Sequence, residues 1–197
     1  MTILAAGAGL FADFQDAVSL LESDLVVQQA SAATAWASRI APTDVETLRS
    51  QPEVHQVTEV EVAATRFLGQ KYFIVLGLDP ESSILATIRI IDGRPYRAKG
   101  AEMMIGSHAA KAVGVTTGDR VNVRGREFLI SGVYETNQSI LDGAAVMNLR
   151  AARTVFSYAG DTTVVFIDVQ DPAEIDDVST VISDTLPHLE ASRSDIW

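Results

Sequence analysis

From Ile90 to Glu135 the chain reads IIDGRPYRAKGAEMMIGSHAAKAVGVTTGDRVNVRGREFLISGVYE, and this stretch limits the possible folds more than any other. A strand ends at Asp92-Gly93. A short polar crossing, a second strand, one short helix and a long hairpin follow. Gly118-Asp119 offers a tight turn, since Gly accepts positive φ and Asp can bond its own backbone. Val121 and Val123 alternate with Asn122 and Arg124, the pattern of a half-buried strand. Gly125 turns that strand, and Phe128, Ile130 and Val133 lie in the returning one. A hairpin of this kind after a short helix also occurs in double-psi barrels, which stand as a competing fold.

The flanking segments supply strand and helix in turn. Asp24–Gln29 (DLVVQQ) reads as a strand with β-branched residues at its centre. Residues 30–41 read as a loop. Thr43-Asp44-Val45-Glu46 has the form of a capping box opening a helix that ends before Pro52. Val54–Leu68 and Tyr72–Leu78 form a hairpin across Gly69-Gln70. Near the other end, Thr162–Val169 (TTVVFIDV) is a strand. Asp171 then caps a helix with Pro172 in its first position, where the missing N–H is harmless. Ile175, Val178, Ile182 and Leu186 make its apolar stripe, with Val181 at the edge, so the helix lies on a sheet. Pro187 ends it.

These elements predict an α+β protein of two lobes. A mixed strand–helix lobe is built from both chain ends, 1–83 plus 149–197, and a strand-rich lobe, 84–148, is inserted between them. With 197 residues the chain can bury a proper core.

Composition removes several functions. The 26 Asp and Glu against 15 Lys and Arg give a formal charge of −11, which repels phosphate backbones and anionic lipid, so no nucleic-acid partner is expected. The absence of cysteine excludes disulfides, thiolate zinc sites and a cysteine nucleophile. His55, His108 and His188 have no spacing that puts two ligands on one helix face. Ser107 and His108 are adjacent and so do not face each other on a helix. Asp171, Glu174, Asp176 and Asp177 complement a helix dipole and lack the pattern of a calcium loop. Gly114–Gly118 lacks the Lys-Ser/Thr of a phosphate loop. Asn137-Gln138-Ser139 matches a glycosylation acceptor, a frequent chance pattern. No catalytic residue, metal ligand or cofactor site is expected.

Residues 1–12 (MTILAAGAGLFA) carry no charge, and the first basic residue is Arg39. The run lacks the positive start of a signal peptide and is shorter than the roughly 20 residues that span a bilayer. Two readings stay open: a helix buried on the core, or the outer end of a transmembrane helix. Either way the helix runs on through Phe11, Phe14, Val18 and Leu21, over about residues 2–22.

The ordered series of short motifs resembles the extracytoplasmic domain of MacB-type, FtsX-like ABC transporter permeases. A stalk helix precedes a DLVVV-type strand, here Asp24-Leu25-Val26-Val27. A helix introduced by T–D–E–L follows, here Thr43, Asp44, Glu46 and Leu48, and then Pro52, Val54 and Val57. The family's GRP corner corresponds to Asp92-Gly93-Arg94-Pro95-Tyr96. Its V–IG–A–LG–GD–V–G–F–VVGV run corresponds to Met104-Ile105-Gly106-Ser107, Ala109-Ala110, Val113-Gly114, Gly118-Asp119, Val121, Gly125, Phe128 and Ile130–Val133. The crossing Arg97–Gly100 is shorter and more basic than the family's acidic loop.

That resemblance implies a non-enzymatic domain outside a bacterial plasma membrane, in a dimeric permease driven by a separate or fused cytoplasmic ABC ATPase. The partner outside the membrane would be an adaptor protein, a lipoprotein, a peptide or a cell-wall hydrolase. Arg94, Tyr96 and Arg97, with Lys99, make the local basic–aromatic cluster, and they and Trp36 are the candidate docking residues. The alternative is a free-standing soluble ligand-binding domain.

Overall fold

The computed structural model describes residues 23–33, 37–136, 138–156 and 160–194. The expected stalk helix and Trp36 lie outside these residues. In chain order the elements are β1 (Leu25–Gln29), α1 (Pro42–Arg49), β2 (Val54–Phe67), β3 (Gln70–Leu78), α2 (Ser83–Thr87), β4 (Arg89–Gly93) and β5 (Glu102–Gly106). They continue with α3 (Ser107–Val113), β6 (Arg120–Val123), β7 (Arg126–Glu135), α4 (Ser139–Asp142), β8 (Ala145–Asn148) and α5 (Leu149–Phe156). The last are β9 (Val164–Val169), a 3₁₀ turn at Pro172–Glu174, α6 (Ile175–Thr185) and β10 (Leu189–Arg193). The protein is a mixed α+β fold, and its strands follow an open path, not a closed double-psi barrel.

The chain forms two compact units: 1–60 with 160–197, and 61–159. The second is therefore inserted in the first, with boundaries outside the expected 84 and 148. The reason lies in the pairing. β3 pairs in parallel with β8, and α5 packs on β3, so segments on both sides of the expected insert belong to its core.

In the first unit the strand order is β10-β1-β9 and then the first half of β2, to Val60, all antiparallel. Apolar side chains of α1 (Val45, Leu48) and α6 (Ile175, Val178, Ile182) pack with Leu25, Val27, Val165, Ile167 and Val169 into one core. The predicted stripe on α6 is buried, and Val181 at its edge is 43% exposed. β10 was not expected. Its sequence, LEASR, has little strand propensity, but β1 supplies a partner for each of its residues from Leu25↔Arg193 to Gln29↔Leu189. As a result the two described ends of the chain meet: the Ser194 amide donates to the Asp24 carbonyl at 3.0 Å, and the Ser194 hydroxyl donates to the Ser23 carbonyl.

The expected capping box is corrected. The residue capping α1 is Ala41, with Pro42 first in the helix, and Thr43 is already inside it. The Glu46 carboxylate is bonded to Arg49 at 2.7 Å instead of reaching back. Pro42, with φ fixed near helical values, marked this start better than the Thr–Glu pair. The Asp171 side chain accepts from the Ala173 amide at 2.9 Å and so caps the 3₁₀ turn Pro172–Glu174 that leads into α6, whose own cap position is Glu174, with no side-chain bond.

The second unit is organised by β7. One of its edges takes β5 in parallel, and the other takes β6 and then β4, both antiparallel. β5 continues to β8 and β3. Phe67, Phe73, Met103, Ile105, Phe128, Ile130, Met147, Ala152 and Phe156 are among its buried core, with Phe67 and Phe73 stacked at 4.4 Å. The Asp92-Gly93-Arg94 corner lies backbone to backbone on β7. The Arg94 amide donates to the Ser131 carbonyl at 2.9 Å, and a Cβ on Gly132 would stand 2.6 Å from the Arg94 carbonyl oxygen. Gly93, at φ +76, has the mirror-image constraint, with Ser131 O 2.4 Å from its missing Cβ. Those two glycines are what allow the corner to close.

Candidate docking surface

The cluster expected to dock a partner divides in two. Tyr96 is 3% exposed, and its hydroxyl donates to the Leu78 carbonyl at 2.9 Å. Burial, and then the Asp79 charge, push its pKa above the ordinary tyrosine value. Tyr96 is thus an anchor of the crossing and not a surface residue, which corrects the expectation for it. Arg94 faces Glu102 with both guanidinium nitrogens, Nη2–Oε1 at 2.6 Å and Nη1–Oε2 at 2.8 Å, and Nη1 also donates to the Pro95 carbonyl. The Arg97 amide donates to the same Glu102 carboxylate at 2.9 Å. Chiefly through the Arg94 hydrogen bond, the Glu102 carboxyl is held below the usual carboxylate range. The fork geometry of this pair fixes the crossing more firmly than a single contact would. Arg97 and Lys99 remain exposed.

Beyond that anchor the loop Ala98–Ala101 borders a shallow pocket of about 250 Å³, completed by Arg126, Asn148, Arg150, Ala151 and Thr154. Asn148 ties its two walls. Its Nδ2 donates to the Ala98 carbonyl at 3.3 Å, while its Oδ1 accepts from the Arg150 amide at 2.9 Å, at the start of α5. Lys99, Arg126 and Arg150 bring three exposed cations from a loop, β7 and α5 to one place. The sequence reading found Lys99 and missed the other two. They lie far apart along the chain, and only the β5–β7 and β5–β8 pairings bring them near the loop. Leu149, Ala152 and Phe156, at helical spacing, were a legible sign of α5.

Charge separates the two units. The first holds 17 Asp and Glu against 3 Lys and Arg, the second 9 against 12, for −14 and +3 of the total of −11. Among the described residues no group of three His, Cys, Asp or Glu is arranged to hold a metal ion. His55 and His108 are exposed, and His188 Nε2 lies 2.9 Å from Asp44 Oδ2. No described helix is long and apolar enough to cross a membrane.

The model of one family, the MacB-like periplasmic core domain, matches residues 1–185. The chain belongs to that family. Its place is therefore extracytoplasmic, as a domain of MacB-like ABC transporter permeases, which work with ATPase subunits and often dimerise. Among solved structures it is similar to the periplasmic region of MacB from Actinobacillus actinomycetemcomitans. The TM-score is 0.67 at 10% identity, over 94% of this chain and 95% of that one. It is also similar to the extracellular domain of the noncanonical ABC-type transporter YknZ from Gram-positive bacteria. There the TM-score is 0.65 at 13% identity, over 87% of this chain and 100% of the other. At such identities these likenesses concern the fold alone. No curated protein matches the chain.

Proposed function

We propose that this domain is the external working part of an ABC transporter permease, moved by ATP-driven changes in the cytoplasmic ATPase and docking a partner outside the membrane. The observation that carries the reading, beside family membership, is the junction of the chain ends. β1 and β10 are adjacent strands, and Ser194 bonds Asp24 and Ser23. A pull arriving on either end of the domain meets the same hydrogen-bonded pair of strands, so the first unit can be displaced as a body without shearing its sheet. Sliding β1 past β10 would break the ladder of backbone bonds and misplace its buried side chains. In this reading the helix at about 2–22 is the lever, and the second unit carries the docking surface.

The test is a proline at Ala17 in the full permease assembled with its ATPase. Proline in a helix interior removes a backbone bond and kinks the axis. ATP turnover should continue while transport falls to background. ATP-dependent transport surviving in that variant refutes the lever.

A further inference from the structure

We propose that the pocket bordered by Lys99, Arg126 and Arg150 binds an acidic segment of a partner protein, with Asp or Glu carboxylates seated among the three cations. This deepens the docking half of the function above and rests on it.

The first support is local charge. In the second unit, which holds the whole pocket, Lys and Arg outnumber Asp and Glu by 12 to 9, so its cations are not all matched by carboxylates. Arg49, Arg89, Arg94, Arg120 and Arg193 each hold a carboxylate within ion-pair distance. None of the described carboxylates pairs with Lys99, Arg126 or Arg150, although these three converge on one concave surface. Gathering like charges without a counter-charge is unfavourable in the free domain, and an anionic occupant relieves it.

The second support is that the walls are fixed before any ligand arrives. Glu102 locks the crossing through Arg94 and the Arg97 amide, and Asn148 ties the Ala98 carbonyl to the first turn of α5. Arg126 lies over the Phe128 ring, 5.9 Å from its centre, which limits the freedom of its side chain. Little ordering is left to oppose binding.

Size and polarity then choose the class of ligand. Small-molecule pockets are mostly apolar and deeper, with volumes of roughly 300–1,000 Å³. At about 250 Å³, open and edged by cations, an amide and a hydroxyl, this one suits side chains presented from another protein surface. Arginine at such a position can take a carboxylate with two parallel bonds.

The experiment is fluorescence anisotropy of a dye-labelled glutamate-rich peptide titrated with the 197-residue chain, with its glutamine counterpart as control. Saturable binding of the glutamate peptide alone, weakening as salt rises, is expected. The triple reversal K99E/R126E/R150E should weaken it at least about tenfold. The charge-matched reversal of exposed cations elsewhere in the same unit, R66E/K71E/K111E, should leave it within about twofold. Arg150→Gln alone should give an intermediate loss, a readout that stands even if the triple variant folds poorly. Three results would overturn the proposal: no binding, equal loss in both triple variants, or displacement by free glutamate at the same carboxylate concentration. So would self-association of the chain that the peptide competes away, which would make a second copy the occupant. Because the readout is binding to the domain, it can fail while the lever test succeeds, and the reverse.

Discussion

The two units solve the same packing problem with opposite materials. The first is an antiparallel sheet in which β1 and β10, from opposite ends of the described chain, pair side by side, strongly acidic, with a core of aliphatic residues under two helices. The second is one continuous segment with a mixed sheet, slightly basic, whose core contains four phenylalanines and two methionines. Their weak points differ accordingly. The first unit depends on a pairing between residues some 165 positions apart, whose loop-closure entropy must be met before any contact forms. The second depends on backbones brought unusually close, at Gly93, Gly132 and Gly106.

The sharpest way to break that contrast is Gly106→Val. A Cβ there would stand 2.3 Å from the Asp142 carbonyl oxygen and 2.7 Å from its Cα, both main-chain atoms that cannot swing aside. Overpacking against backbone should cost about 3 kcal/mol or more, read as a lower urea midpoint. A variant of native stability would mean that the close approach is incidental.

Ile182→Ala makes the corresponding cut in the first unit. Ile182 is 1% exposed on α6, and truncation should cost about 2–4 kcal/mol. Hydrogen exchange should then show protection lost at Val164–Val169 and Leu189–Arg193 and kept at Glu102–Gly106 and Arg126–Glu135. Equal losses in both sets would join the two units into one cooperative whole.

A smaller effect, visible only as a pH dependence, belongs to Glu102. Its folded pKa lies below the unfolded one, so the stabilisation is complete above the unfolded value. It is lost as pH falls through the folded value. The wild type should therefore exceed Glu102→Gln in urea midpoint at neutral pH, and the gap should narrow on the acid side of about pH 4. A gap independent of pH would show that the Glu102 charge is not what holds the crossing.

Much of the fold could be read from residues that announce their own geometry. Alternation revealed β6, and the apolar stripe from Ile175 to Leu186 revealed α6 and the face it buries. The Asp92-Gly93-Arg94-Pro95 corner was legible because Gly and Pro act locally. What stayed hidden depends on partners. β10 is a strand only because β1 lies beside it, and Tyr96 looks like a surface aromatic until Leu78 and Asp79 are placed next to it. The pocket belongs to the same class. Lys99, Arg126 and Arg150 form a site only through strand pairings that no local window contains.

The two helix starts of the first unit test this distinction at the smallest scale. Asp171 and Thr43 carry equally familiar cap signatures in sequence, yet only the Asp171 carboxylate accepts a backbone amide, from Ala173. Asp171→Ala should lose about 1 kcal/mol, while Thr43→Ala should stay within about 0.5 kcal/mol. The difference follows from Pro42, which occupies the first helical position and moves the cap back to Ala41. Thr43 is left on the helix surface with its amide already past the cap. Matched urea curves for the two variants decide it. Equal losses would mean that Thr43 caps α1 in solution and that the helix begins later than Pro42.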